Sequence, residues 1–103
     1  MSKMFNQAFA FNQDIGGWDV SSVTNMNGMF YRAYAFNQDI GGWNVSSVTD
    51  MEEVFYDATA FNQTLCGWTE HNFPYSNAAG IFVGTSCVDT SDPTPAAVCQ
   101  PCN

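Results

Sequence analysis

Phe36-Asn37-Gln38-Asp39-Ile40-Gly41-Gly42-Trp43-Asn44-Val45-Ser46-Ser47-Val48-Thr49 is a near copy of residues 11–24, Phe11-Asn12-Gln13-Asp14-Ile15-Gly16-Gly17-Trp18-Asp19-Val20-Ser21-Ser22-Val23-Thr24. The phrase starts a third time at Phe61-Asn62-Gln63-Thr64-Leu65, keeps Gly67-Trp68 and then decays. Starts at 11, 36 and 61 fix a period of 25 residues. A constant period of this size marks a chain whose copies stack and bury their apolar groups against one another. The period describes how the chain is built and leaves its ligand open.

Within the second copy, Ile40, Trp43, Val45 and Val48 follow spacings of 3, 2 and 3, as in the strand-and-turn segment of leucine-rich repeats. Trp43 and Val45, two apart, would share one face of a strand. Short strands are therefore predicted at 43–45, at 18–20 and, more weakly, at 68–70. A helix is predicted after each strand. Val48, Met51, Val54, Phe55 and Ala58 recur at helical spacing, as do Val23, Met26, Met29, Phe30 and Ala33. Ser47 or Thr49 would cap the helix. A helix of about ten residues is marginal alone in water, so its neighbours must hold it. Strand, helix and parallel strand connect right-handedly. The expected fold class is an α/β solenoid: a leucine-rich-repeat-like, right-handed stack of short parallel strands and short helices, closed by a disulfide-stapled C-terminal cap. Residues 1–65 are read as the repeats, and residues 66–103 as a degenerate last repeat with a Cys-containing cap and tail.

Stacking places equivalent side chains in columns about 4.8 Å apart. Phe5, Phe30 and Phe55 form one expected column, Phe11, Phe36 and Phe61 a second, and Trp18, Trp43 and Trp68 a third. Ala8, Ala33 and Ala58 supply small residues where copies approach closely. Asn12, Asn37 and Asn62 are expected to bond the backbone of the adjacent copy. Past Trp68, Asn77-Ala78-Ala79-Gly80-Ile81-Phe82 echoes Asn25-Met26-Asn27-Gly28-Met29-Phe30, displaced by two inserted residues. The last copy would cover the open end of the stack, because terminal repeats need a distinct outer face. Residues 88–103, rich in Asp and Pro, are read as an extended tail along the surface or leading to a stalk. Met1 aligns with Met26, so the chain is expected to open in mid-repeat, as a segment of a longer protein.

Cys66, Cys87, Cys99 and Cys102 all lie late in the chain. They are read as an oxidised staple. Four cysteines allow three pairings, and the sequence does not choose among them. A Cys66–Cys87 bond would clamp the last copy, with Cys99–Cys102 closing the tail. The competing reading is a four-thiolate zinc site, for which only Cys99 and Cys102 have close ligand spacing.

Charge is sparse and one-sided, with two basic residues, Lys3 and Arg32, against ten acidic ones and a net charge of −8. Nucleic acid needs cations to neutralise its phosphates, so that partner class is excluded. Anionic lipid surfaces are disfavoured for the same reason, and no apolar run is long enough to span a membrane.

The Met-Phe-x-x-Ala-x-x-Phe-Asn-Gln-Asp-Ile-Gly-x-Trp-Asp-Val-Ser-Ser-Val-Thr-Asn-Met pattern from Met4 to Met26, repeated from Met29, resembles the bacterial surface protein repeat, also called BspA-like or DUF285. The likeness is close over residues 4–65. The Cys-containing ending is similar to that of diatom-type members. What the resemblance implies is a leucine-rich-repeat relative on cell surfaces, linked to adhesion, with no catalytic residues to carry over.

No set of residues here suggests catalysis. His71 stands alone, and the Gly16-Gly17 and Gly41-Gly42 pairs lack the lysine and Ser/Thr of a phosphate loop. No enzyme activity and no cofactor are expected. Asp14 and Asp39 repeat, as do Asp19 and Asn44, so calcium between copies is an alternative. Thr64 and Thr69 replace them in the third copy, and calcium wants roughly six to eight oxygens. The expected function is a non-catalytic cell-surface or secreted module for adhesion or protein recognition, extracellular, with a protein or glycan on another surface as partner. Its expected binding face carries Asp19, Ser21, Asn44, Ser46 and Thr69. Asn44-Val45-Ser46 and Asn62-Gln63-Thr64 are glycosylation sequons, with Asn44 the better acceptor. One alternative is self-association end to end through the uncapped rung at Met1–Phe5; another is a calcium- or glycan-binding surface domain.

Overall fold

The structure is a computed structural model that describes residues 1–102. Four copies lie over one another, and one phenylalanine in each traces the stack. Phe5 faces Phe30 at a ring-centroid distance of 5.4 Å, Phe30 faces Phe55 at 5.5 Å, and Phe55 faces Phe82 at 6.0 Å. The second column, Phe11, Phe36 and Phe61, has steps of 5.8 and 5.9 Å. Within a copy the two columns touch, as Phe30 and Phe36 do at 4.1 Å. Such offset aromatic contacts add to the large apolar area each ring removes from water. Ala33 and Ala58 are fully buried between the phenylalanines.

The α/β solenoid expected from the sequence does not form. Among the described residues no segment is α-helical, and the only regular helical turns are two 3₁₀ segments, Cys66–Glu70 and Tyr75–Asn77. Among the described residues parallel pairing between copies is a single bridge, Asn25 with Asp50. The predicted strands at 18–20 and 43–45 are irregular, and Trp68 lies on a 3₁₀ turn where the third was placed. Among the described residues the single sheet is a two-stranded antiparallel pair in the tail, β1 (Ala97–Val98) and β2 (Gln100–Pro101).

The reason lies in where the amide hydrogens go. In an α-helix each N–H donates to the carbonyl four residues back. Here alternate N–H groups leave the copy altogether. Those of Gly28, Phe30 and Arg32 donate to the carbonyls of Glu52, Val54 and Tyr56 in the next copy, at 3.0, 2.8 and 2.8 Å. The N–H groups between them close turns within their own copy: Met29 donates to Met26 and Tyr31 to Gly28. Gly28 at φ 60° and Arg32 at φ 57° take left-handed backbone, once every four residues. No right-handed helix tolerates that. A coil with turns four residues apart buries the same spacing of 3 and 4 that an amphipathic helix would bury. Ser47 and Thr49 therefore cap no helix; the Thr49 hydroxyl donates instead to the Thr24 carbonyl of the copy before.

The tryptophans are anchored across copies. Trp43 Nε1 donates to the Ile15 carbonyl at 3.1 Å, and Trp68 Nε1 donates to that of Ile40 at 3.0 Å. Trp18 faces Phe5 as Trp68 faces Phe55, but it lies on the first copy and is 40% exposed. The asparagine column links copies too. Asn12 Oδ1 accepts the Asn37 N–H at 2.9 Å, and Asn37 Oδ1 accepts that of Asn62 at 3.0 Å. Gly41 belongs where it is because a Cβ there would stand 2.7 Å from the Thr64 carbonyl oxygen.

The tail is not extended. It folds back over the fourth copy and buries Val98 and Cys99. The disulfides are Cys66–Cys102 and Cys87–Cys99, one nested inside the other, rather than Cys66–Cys87 with Cys99–Cys102. Spending all four thiols also removes the zinc reading. The pairing follows from the return of the tail: β2 brings Cys102 back to Cys66 in the third copy, while Cys99 meets Cys87 at the end of the fourth.

Candidate functional site

The expected binding face does not assemble as a sheet. Asp19 and Asn44 are exposed and spend their side chains locally. Asp19 Oδ1 accepts the Ser21 hydroxyl at 2.6 Å and the Ser21 N–H at 3.0 Å. Asn44 Oδ1 accepts the same two groups of Ser46. These are turn-forming bonds of a short polar side chain to the backbone two residues on. The Ser21 hydroxyl, followed by its N–H, holds the Asp19 carboxyl below the usual aspartate value of 3.8. Thr69 donates its hydroxyl to the Cys66 carbonyl inside the 3₁₀ turn. Asn44 stays exposed, as a glycan acceptor requires, whereas Asn62 Oδ1 is bound by Gln100.

Asp14 and Asp39 serve the same local purpose, accepting the N–H of Gly16 and Gly41 at 3.0 Å. Among the described residues no three His, Cys, Asp or Glu side chains gather in a way that could hold a metal ion. His71 is half-buried, and its N–H closes the 3₁₀ turn on the Trp68 carbonyl. An open hollow of about 290 Å³ lies between Asn27, Glu52, Glu53, Ala79 and Gly80. Its acidic lining presents no nucleophile and no base–nucleophile pair.

What the repeats do display is aromatic. Phe9 and Tyr34 stack at 5.1 Å with planes 12° apart, and they are 53% and 43% exposed. Their column continues as Thr59, whose hydroxyl points to the Tyr34 carbonyl, and Ser86, whose hydroxyl donates to the Thr59 carbonyl at 2.6 Å. Tyr31 and Tyr56, three positions earlier in their copies, also stack at 5.1 Å. The Arg32 guanidinium lies 5.3 Å from the Tyr31 ring and 3.9 Å from the Asp57 carboxylate. Phe9 and Tyr34 were not singled out from the sequence. Their signal was an aromatic at the same position of two copies, four residues past Phe5 and Phe30.

The interior contains only apolar side chains; among the described residues no polar or charged one is buried. A core of stacked rings and a surface of turn-forming Asp, Asn and Ser thus follow from one 25-residue unit. Residues 1–91 match a family described as "Mycoplasma protein of unknown function, DUF285".

The chain belongs to the DUF285 family. Comparison of this DUF285 chain with curated proteins finds no match, and comparison with solved structures finds none either. No helix among the described residues of the DUF285 chain is long and apolar enough to cross a membrane.

Proposed function

We propose that this chain is a non-catalytic recognition module, secreted or held at a cell surface, that acts in adhesion or protein binding. The observation that carries the reading is the solvent-facing Phe9–Tyr34 stack. Aromatic rings fixed by a repeating backbone offer large contact area at little cost in conformational entropy, and such residues dominate recognition surfaces. Two disulfides support an oxidising compartment. A net charge of −8 turns away anionic partners and leaves proteins and neutral glycans as the favoured classes.

The test is an array of extracellular proteins and of glycans probed with the chain, followed by the same array probed with Phe9→Ala/Tyr34→Ala. Binding by the parent and its loss in the variant, with the stack intact by circular dichroism, is the expected result. Undiminished binding by the variant, or no binding by the parent, refutes the reading.

A further inference from the structure

Most columns of the stack lie in the core, but one brings two phenols together at the surface. Tyr31 and Tyr56 hold the same position in the second and third copies, and both are half-buried. Their rings stack at 5.1 Å with planes 7° apart. The backbone clamps them in that register. The Arg32 N–H, one residue past Tyr31, donates to the Tyr56 carbonyl at 2.8 Å. The Asp57 N–H, one residue past Tyr56, donates to the Val83 carbonyl at 2.7 Å. The preceding residues, Phe30 and Phe55, stack in the core at 5.5 Å. The two phenols therefore stay neighbours for as long as the copies stay stacked.

The column singles out this pair. The same position holds Asn6 in the first copy and Val83 in the fourth, so one phenol faces one phenol. Of the chain's other two tyrosines, Tyr34 stacks on Phe9 and Tyr75 meets Phe73 at 4.9 Å. Phenylalanine has no hydroxyl to lose and so forms no phenoxyl radical. All four cysteines are spent in disulfides, so among the described residues no free thiol is present to quench such a radical. Holding two reacting groups side by side turns a bimolecular coupling into an intramolecular one. Half-exposed rings change rotamer quickly, which lets their edges meet.

We propose that Tyr31 and Tyr56 are an oxidative cross-linking site, joined as an intrachain dityrosine by a one-electron oxidant, a haem peroxidase with hydrogen peroxide. Each phenol gives up its hydroxyl proton and one electron and becomes a phenoxyl radical. A Cε carbon of Tyr31, ortho to the oxygen, then bonds to a Cε carbon of Tyr56. The hydrogens on those two carbons move to the oxygens and restore both phenols. The two electrons and two protons removed reduce one hydrogen peroxide to two waters. The link ties the second copy to the third without a thiol, as the disulfides tie the tail to the third and fourth copies. It closes a loop of one 25-residue period, which restricts the unfolded chain. The site is a different column from the Phe9–Tyr34 stack of the recognition reading, and the two proposals fail independently.

The test treats the full chain with a haem peroxidase and hydrogen peroxide across a dilution series. Dityrosine fluorescence is then read from the monomer and dimer bands of a denaturing gel. Arg32 lies between the two tyrosines, so once the disulfides are reduced trypsin separates Tyr31 from Tyr56 unless they are linked. The expected product is a fluorescent monomer whose yield per chain does not fall on dilution. Its two tryptic fragments should stay joined, with the loss of two hydrogens by mass spectrometry. Tyr31→Phe and Tyr56→Phe each keep a ring in the stack and should each abolish the monomeric product. Tyr34→Phe/Tyr75→Phe should retain it. A parent that yields no monomeric dityrosine overturns the proposal. So does a product that survives Tyr31→Phe or Tyr56→Phe, that needs Tyr34 or Tyr75, or whose yield per chain falls on dilution.

Discussion

Gln100, in the returning tail, donates its side-chain amide to Oδ1 of Asn62. Gln38 makes that bond to Asn12 and Gln63 makes it to Asn37, each at 3.0 Å. The fourth copy has lost this glutamine, and the tail supplies one from 38 residues away. The cap thus completes a repeat-type contact with a residue from outside the repeat, which ties the end of the chain to the register of the stack.

The asparagine column acts through its carbonyl oxygen. Asn37 Oδ1 accepts both the Asn62 N–H and the Gln63 amide. Asn37→Ala strands both donors, and because the site is near solvent the expected loss is about 1–2 kcal/mol. Asn37→Asp keeps the acceptor and should recover most of that loss in urea denaturation. Equal losses in the two variants would show that the oxygen is not what matters.

Adjacent glycines should respond in opposite ways. A Cβ at Gly41 would lie 2.7 Å from the Thr64 carbonyl oxygen, whereas one at Gly42 meets nothing within 4 Å. Gly41→Ala must push two copies apart and is expected to cost roughly 1–3 kcal/mol. Gly42→Ala should be neutral or stabilise by up to about 1 kcal/mol by restricting the unfolded chain. Thermal melts of the two single variants make the comparison.

Position in the stack should grade the tryptophans. Trp43 is 2% exposed and donates to Ile15, while Trp18 is 40% exposed. Trp43→Ala is expected to cost roughly 3–5 kcal/mol, as large buried aromatics do. Trp18→Ala should cost clearly less, by the same urea measurement. Similar values for both would mean that the first copy is as well packed as the second.

Asp19 provides a pH test. Hydrogen bonds from Ser21 lower its carboxyl below 3.8 in the folded chain. A depressed folded value favours the native state above the unfolded value, and the benefit is lost as pH falls through the folded one. Ser21→Ala removes the first cause, so the Asp19 carboxyl should titrate higher in a carbon-detected NMR titration. An unchanged titration would show that Ser21 does not hold it.

The columns were legible in the sequence because a fixed period aligns like with like. Phe30 over Phe5 and Asn37 beside Asn12 required only counting. The local backbone was not legible. Met26, Met29, Phe30 and Ala33 fit a helix and a coil of four-residue turns equally well, and left-handed Arg32 carries no sequence mark that a helical arginine would lack. The local bonding of the expected polar residues was hidden for a related reason: Asp19 and Asn44 follow a period-2 pattern on paper, but their side-chain oxygens are within reach of Ser21 and Ser46 and accept from them. Phe9 and Tyr34 stand four residues past Phe5 and Phe30, where a helix would turn them toward the core; the coil of four-residue turns leaves them exposed instead.

The sequence by itself determined the 25-residue repeat, the identity of the stacked rings, the acidic balance and the family. Tertiary structure alone decided that alternate amides bond to the next copy rather than four residues back, that the tail returns, and that Cys66 pairs with Cys102. The physical reason is that composition and spacing specify which groups must leave water. Where each N–H finds its acceptor depends on chain segments 25 or more residues apart, which only the assembled stack brings together.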